Sequence, residues 1–62
     1  MNIPQHLLSP NSAAIALDVS RSTIYALMKI GRIKWVYVGA DRRIPADEIQ
    51  RIASEGASTK AA

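Results

Sequence analysis

Cysteine and phenylalanine are absent from this 62-residue chain, and histidine occurs once. Without cysteine there is no disulfide and no thiolate metal site, and a reducing cytoplasm is the natural setting. His6 stands without a second His at ligand spacing, so no metal is expected. The three glycines form no phosphate-cradling loop. Asp47 and Glu48 are adjacent, so on a helix they diverge rather than work as a catalytic pair. These absences argue against an enzyme and against any cofactor. No apolar run approaches the roughly 20 residues that span a bilayer. Residues 1–6 lack a basic patch followed by an apolar run, so no secretory signal is expected.

Aromatic residues are also few, one Trp and two Tyr, and ten of the apolar residues are Ala. The core must therefore come from Ile, Leu, Val, Met and the three aromatics. A chain of this length makes one domain at most and buries only about 60% of its unfolded surface.

Acidic residues are scarce where basic ones gather. The net charge is +3. Six of the eight cations, Arg21, Lys29, Arg32, Lys34, Arg42 and Arg43, fall between residues 21 and 43, and only Asp41 opposes them there. Such a concentration is the footprint of a polyanion binder; the alternative is a charged surface that keeps a small domain soluble.

The local signals place that charge on a recognisable frame. Ser9 can cap a helix whose first position is Pro10, and the helix should run to about Leu17. Asp18, Val19 and Ser20 then make a three-residue turn. Asp tolerates the left-handed conformation of a tight helix exit, Val19 can plug the corner, and Ser20 can cap a second helix. That helix runs from Arg21 to Ile30 and stops at Gly31. Two short helices joined by so brief a turn is the arrangement that DNA-binding domains push into a major groove.

Beyond Gly31, Lys34–Val38 is rich in aromatic and β-branched residues and predicts a strand. Gly39 to Arg42 reads as a turn and Arg43-Ile44 as a short return strand, giving a β-hairpin. Pro45 stops that strand and opens a third helix, with Asp47 and Glu48 at its positive end and Ile49, Ile52 and Ala53 on its apolar face. Gly56 ends it. The expected organisation is a flexible arm over residues 1–6, a domain over 7–55 and a disordered tail over 56–62. The fold class is α+β: helix, helix, β-hairpin wing, helix. The expected core is Leu8, Ala13, Leu17, Val19, Ile24, Leu27, Met28, Ile33, Val36, Val38, Ile44, Ile49 and Ile52. Strand alternation puts Val36 and Val38 on one face, taken as inward, and Trp35 and Tyr37 on the other.

On the second helix Arg21, Tyr25 and Lys29 are each four residues apart and share a stripe, with Ser22 and Ala26 beside it. Arg21 can fork onto guanine O6 and N7, Ser22 can bond a base or phosphate, and Ala26 permits close approach. Tyr25 and Lys29 suit phosphates. Ser20 and Thr23 complete the recognition-helix set. Arg32, Lys34, Tyr37, Arg42 and Arg43 form a second set on the wing and its flanks. The wing cations can equally serve to keep an edge strand from aggregating. Trp35 reads either as a partner hot spot or as a residue lying over the core edge with its N–H in water, the latter being the commoner case. Ile15 lies away from the inward side of its helix.

The segments Leu7-Leu8-Ser9-Pro10, Ala13-Ala14, Val19–Tyr25, Gly31-Arg32-Ile33, Val36, Val38-Gly39 and Arg43-Ile44-Pro45 closely resemble the excisionase-type DNA-binding domain. This is a winged helix-turn-helix related to the DNA-binding domains of the mercury-resistance regulators. The resemblance covers Leu7 to about Glu55. Asp18 stands where that family usually has Gly, and Arg42 replaces a common wing aromatic. A chain of this domain alone resembles the phage excisionases, with a mycobacteriophage as the implied source. The resemblance implies a recombination directionality factor acting in the bacterial cytoplasm at the nucleoid. Such a factor binds repeats in the double-stranded DNA of the phage attachment site, alongside other copies of itself. It bends the duplex and directs a tyrosine integrase toward excision. Small transcriptional regulators share the domain, so that role is the alternative. A protein-interaction module using Trp35, Tyr37 and Ile15 is a third reading.

Overall fold

The computed structural model describes residues 6–58. The chain runs β1 (Leu7–Leu8), α1 (Pro10–Leu17), α2 (Arg21–Lys29), β2 (Val36–Val38), β3 (Asp41–Pro45) and α3 (Ala46–Glu55). The three strands form one antiparallel sheet in the order β1-β3-β2. Three helices and this sheet make a small α+β domain with the form of a winged helix-turn-helix. Of the arm and tail expected over 1–6 and 56–62, residues 1–5 and 59–62 lie outside the described residues. His6 is tied in: its carbonyl accepts the N–H of Ala46 at 2.8 Å, satisfying a donor at the start of α3.

Each helix end has a local cause. Ser9 and Ser20 cap α1 and α2, their hydroxyls accepting the N–H of Ser12 and of Thr23 at 3.1 Å each. At the exit of α1, Asp18 takes the left-handed conformation at φ 56°, and the N–H of Val19 reaches back to the carbonyl of Ala14 at 2.9 Å. Gly31 closes α2 in the same manner at φ 77°, with the N–H of Arg32 bonded to the carbonyl of Leu27 at 2.9 Å. Both are Schellman exits. The second helix therefore stops one residue earlier than expected, with Ile30 as its cap.

The core gathers Ala13, Ala14, Ile24, Leu27, Met28, Ile33, Ile44, Ile49 and Ile52, with Leu8, Leu17 and Trp35 packed against it. Three expected members are exposed instead: Val19, Val36 and Val38. Val19 sits in the turn, where its N–H rather than its side chain does the structural work.

All three residues of β2 are exposed, Tyr37 (63%) more than Val36 or Val38, because the hairpin reaches beyond the core and only its base, at Trp35 and Ile44, packs there. The turn is only Gly39-Ala40, with Gly39 at φ 65°, the glycine position of a type II′ turn. The return strand accordingly begins at Asp41 rather than Arg43 and extends to Pro45. Tyr37 is paired with Arg42 and Val36 with Arg43. Ile44 is completely buried, so its face, shared with Trp35, Tyr37 and Arg42, turns to the core at the Trp35–Ile44 end, while Tyr37 and Arg42 nearer the turn are exposed. Val36, Val38, Asp41 and Arg43 occupy the outer face. Trp35 decides this orientation by burying a large indole and donating its N–H to the carbonyl of Met28 at 3.4 Å. That N–H was expected in water. The strand also starts later than Lys34, whose N–H is taken by Glu48 rather than by a neighbouring strand.

Candidate nucleic-acid interface

The second helix presents one face to the core and another to solvent. Ile24, Leu27 and Met28 are buried, while Arg21, Ser22, Tyr25 and Lys29 are exposed. At four-residue spacing Arg21, Tyr25 and Lys29 run along the helix as one stripe. Among the described residues, no ion pair or side-chain hydrogen bond holds Arg21 or Lys29. Ala26 is half-buried beside the stripe. Ser20 and Thr23 have a structural occupation, since their hydroxyls bond each other at 2.9 Å at the helix start.

The wing lies against this helix rather than apart from it. The guanidinium carbon of Arg42 sits 5.4 Å from the ring centre of Tyr25 and 5.6 Å from that of Trp35. Trp35 and Tyr37 meet edge to face at 5.1 Å. Tyr25, Tyr37 and Arg42, taken separately from the sequence, are thus linked: Arg42 meets Tyr25 and Trp35, and Trp35 meets Tyr37. Arg43 is not among them. It projects from the outer face, 3.8 Å from the Asp41 carboxylate, with a bond to the carbonyl of Arg42 at 2.8 Å.

Arg32 and Lys34 lie in the segment that links α2 to the wing, and α3 holds that segment down. Glu48 accepts the Lys34 N–H at 2.9 Å. Arg51 grips Glu48 with two bonds, at 2.6 and 3.2 Å, and donates to the carbonyl of Arg32 at 3.1 Å. The Arg51 guanidinium and the Lys34 N–H together hold the Glu48 carboxyl down at about 2. Sequence reasoning assigned Glu48 only to the helix dipole and gave Arg51 no role. The spacing of three between them was the available signal.

The arrangement is a protruding cationic stripe beside a basic, aromatic hairpin. Among the described residues no cluster of His, Cys, Asp and Glu could hold a metal ion. No described helix is long and apolar enough to cross a membrane. The family model described as "Helix-turn-helix domain" matches residues 7–57. No curated protein and no solved structure matches the chain. The chain belongs to the helix-turn-helix domain family, a DNA-binding family that includes excisionase-like proteins.

Proposed function

We propose that this helix-turn-helix domain is an excisionase, a factor that organises attachment-site DNA for a tyrosine integrase. Sequence-specific DNA binding is what the domain family suggests. The observation that carries the reading is the exposed pair Arg21 and Lys29, unpaired among the described residues, at the two ends of one helical stripe. On this reading Arg21 and Ser22 read base edges in the major groove, with Ala26 allowing the approach. Ser20, Thr23, Tyr25 and Lys29 lie along the neighbouring backbone. Arg32, Lys34 and Arg43 supply phosphate contacts beside the helix, with Tyr37 and Arg42 adding to the surface and field of the wing.

A single module of this size buries about 600–1,000 Å² of its own surface on DNA, so one copy binds weakly. Useful affinity then comes from several copies on adjacent repeats. Side by side they share the cost of bending the duplex, which is several kcal/mol. The resemblance of Val19–Tyr25 and Arg43-Ile44-Pro45 to excisionase domains favours this role over gene regulation.

The test is a footprint on attachment-site DNA, followed by a recombination assay with the integrase. Protection of repeated sites together with stimulation of excision supports the excisionase role. Protection confined to a promoter, without an effect on excision, assigns the chain to transcriptional regulation instead. Failure to protect any duplex rejects the DNA-binding reading.

A further inference from the structure

We propose that Arg42 is a positioning residue, which locks the recognition helix to the wing and thereby tunes base preference without itself meeting a phosphate. The inference rests on the DNA-binding reading above. A wing cation that serves phosphates needs its guanidinium extended into solvent. Although Arg42 is an exposed residue, its guanidinium lies within cation–π reach of two rings from different elements, Tyr25 of α2 and Trp35 before β2. Both rings are themselves fixed. Tyr25 rides on a helix whose other face is core, and Trp35 is held by its bond to Met28 and by the edge of Tyr37.

Backbone geometry selects Arg42 rather than its neighbour for this task. Arg42 shares the inner strand face with buried Ile44, while Arg43 alternates outward beside Asp41. Two of the chain's three aromatic rings thus meet one guanidinium, and the third, Tyr37, packs edge to face on Trp35. The planar guanidinium can lie against both rings, which a lysine ammonium on a flexible stem does not reproduce. Tyr25 lies in the same stripe as Arg21 and Lys29, so its placement bears on how that stripe enters the groove.

The closing experiment compares the full chain with Arg42→Ala and Arg42→Lys. Emission of the single Trp35 is recorded without DNA. Binding is then measured to a mixed-sequence duplex of about 20 base pairs at 50–200 mM salt, and to the preferred duplex selected from a random pool. The expected result is a red-shifted Trp35 emission in Arg42→Ala and an unchanged salt slope. Affinity for the preferred duplex falls about 2- to 5-fold, with no rescue by Lys. An unchanged emission overturns the proposal. So does a slope reduced by about 0.9 and restored by Lys, which is the signature of a phosphate contact. If the wild-type chain binds neither duplex, the DNA-binding reading falls and the positioning role falls with it. The Trp35 signal then reports the ring cluster alone, so the two failures are told apart.

Discussion

The carboxylate of Glu48 accepts the main-chain N–H of Lys34 at 2.9 Å, fastening α3 to the segment that leads into the wing. Arg51 completes the fastening by reaching both Glu48 and the carbonyl of Arg32. The Arg51 and Lys34 bonds to Glu48 both favour its ionised form. Glu48 is therefore held at about 2 in the folded chain, against 4.5 in its absence. The folded state binds this proton less readily than the unfolded one, so the stabilisation is complete above pH 4.5 and is lost as pH falls through 4.5 toward 2. The Arg51 end of the pair is solvated, so screening makes the loss small. Thermal melts from pH 7 to pH 2.5 should show this loss, and Glu48→Gln should be less stable at pH 7 and flatter across the acid range.

The two Schellman exits give opposite predictions. Gly31 sits at φ 77° with nothing within 4 Å of where a Cβ would lie, so Gly31→Ala meets no clash and suffers only the conformational cost. That cost is about 1 kcal/mol. Asp18 already bears such a cost at φ 56°. Asp18→Gly should relieve it and raise stability by about 0.5 kcal/mol, whereas Asp18→Val should lower it, because a β-branched residue fits this region worst. Urea titrations of the three variants measure the signs directly.

Hairpin orientation is checked by substitution on its two faces. Val38, half-exposed on the outer face, should accept Thr within about 0.5 kcal/mol. Ile44 is fully buried, and Ile44→Val should cost about 1 kcal/mol, or roughly 4–8 °C in Tm for a domain of this size. If the outer and inner faces were exchanged, Val38→Thr would be the damaging change.

The difference between these faces also marks where the sequence could be read and where it could not. Ser9-Pro10, Asp18, Ser20, Gly31 and Gly56 each act locally, and the helices begin and end at or within a residue of where those residues put them. The hairpin depends on register, which is not local. Treating Gly39 to Arg42 as a four-residue turn lost the pairing of Tyr37 with Arg42. A two-residue Gly39-Ala40 turn would have placed Trp35, Tyr37, Arg42 and Ile44 on one face. Two β-branched valines looked like core, but in so small a domain the indole had the stronger claim on the inner side. Likewise, the stripe of Arg21, Tyr25 and Lys29 followed from helical spacing alone, while the contact between Tyr25 and Arg42 required the tertiary fold.

Arg21 stands at the first position of the recognition helix, exposed and without an intramolecular partner among the described residues. As a base reader it should affect preference at one position of the site. Arg21→Ala is expected to relax discrimination there by about 1–3 kcal/mol and leave other positions unchanged, as read from a binding matrix over single-base variants. Equal weakening on every sequence would make it a backbone contact.

The most direct measurement is the affinity of the chain for duplex DNA as a function of salt. Five cations, Arg21, Lys29, Arg32, Lys34 and Arg43, are assigned to phosphates or bases around the stripe. With Arg21 on a base edge and the other four on phosphates, the slope of log affinity against log salt should be near −3.6, a loss of roughly 150-fold between 50 and 200 mM. An affinity that does not change with salt, or no binding at 50 mM, would contradict the assignment of this face to DNA.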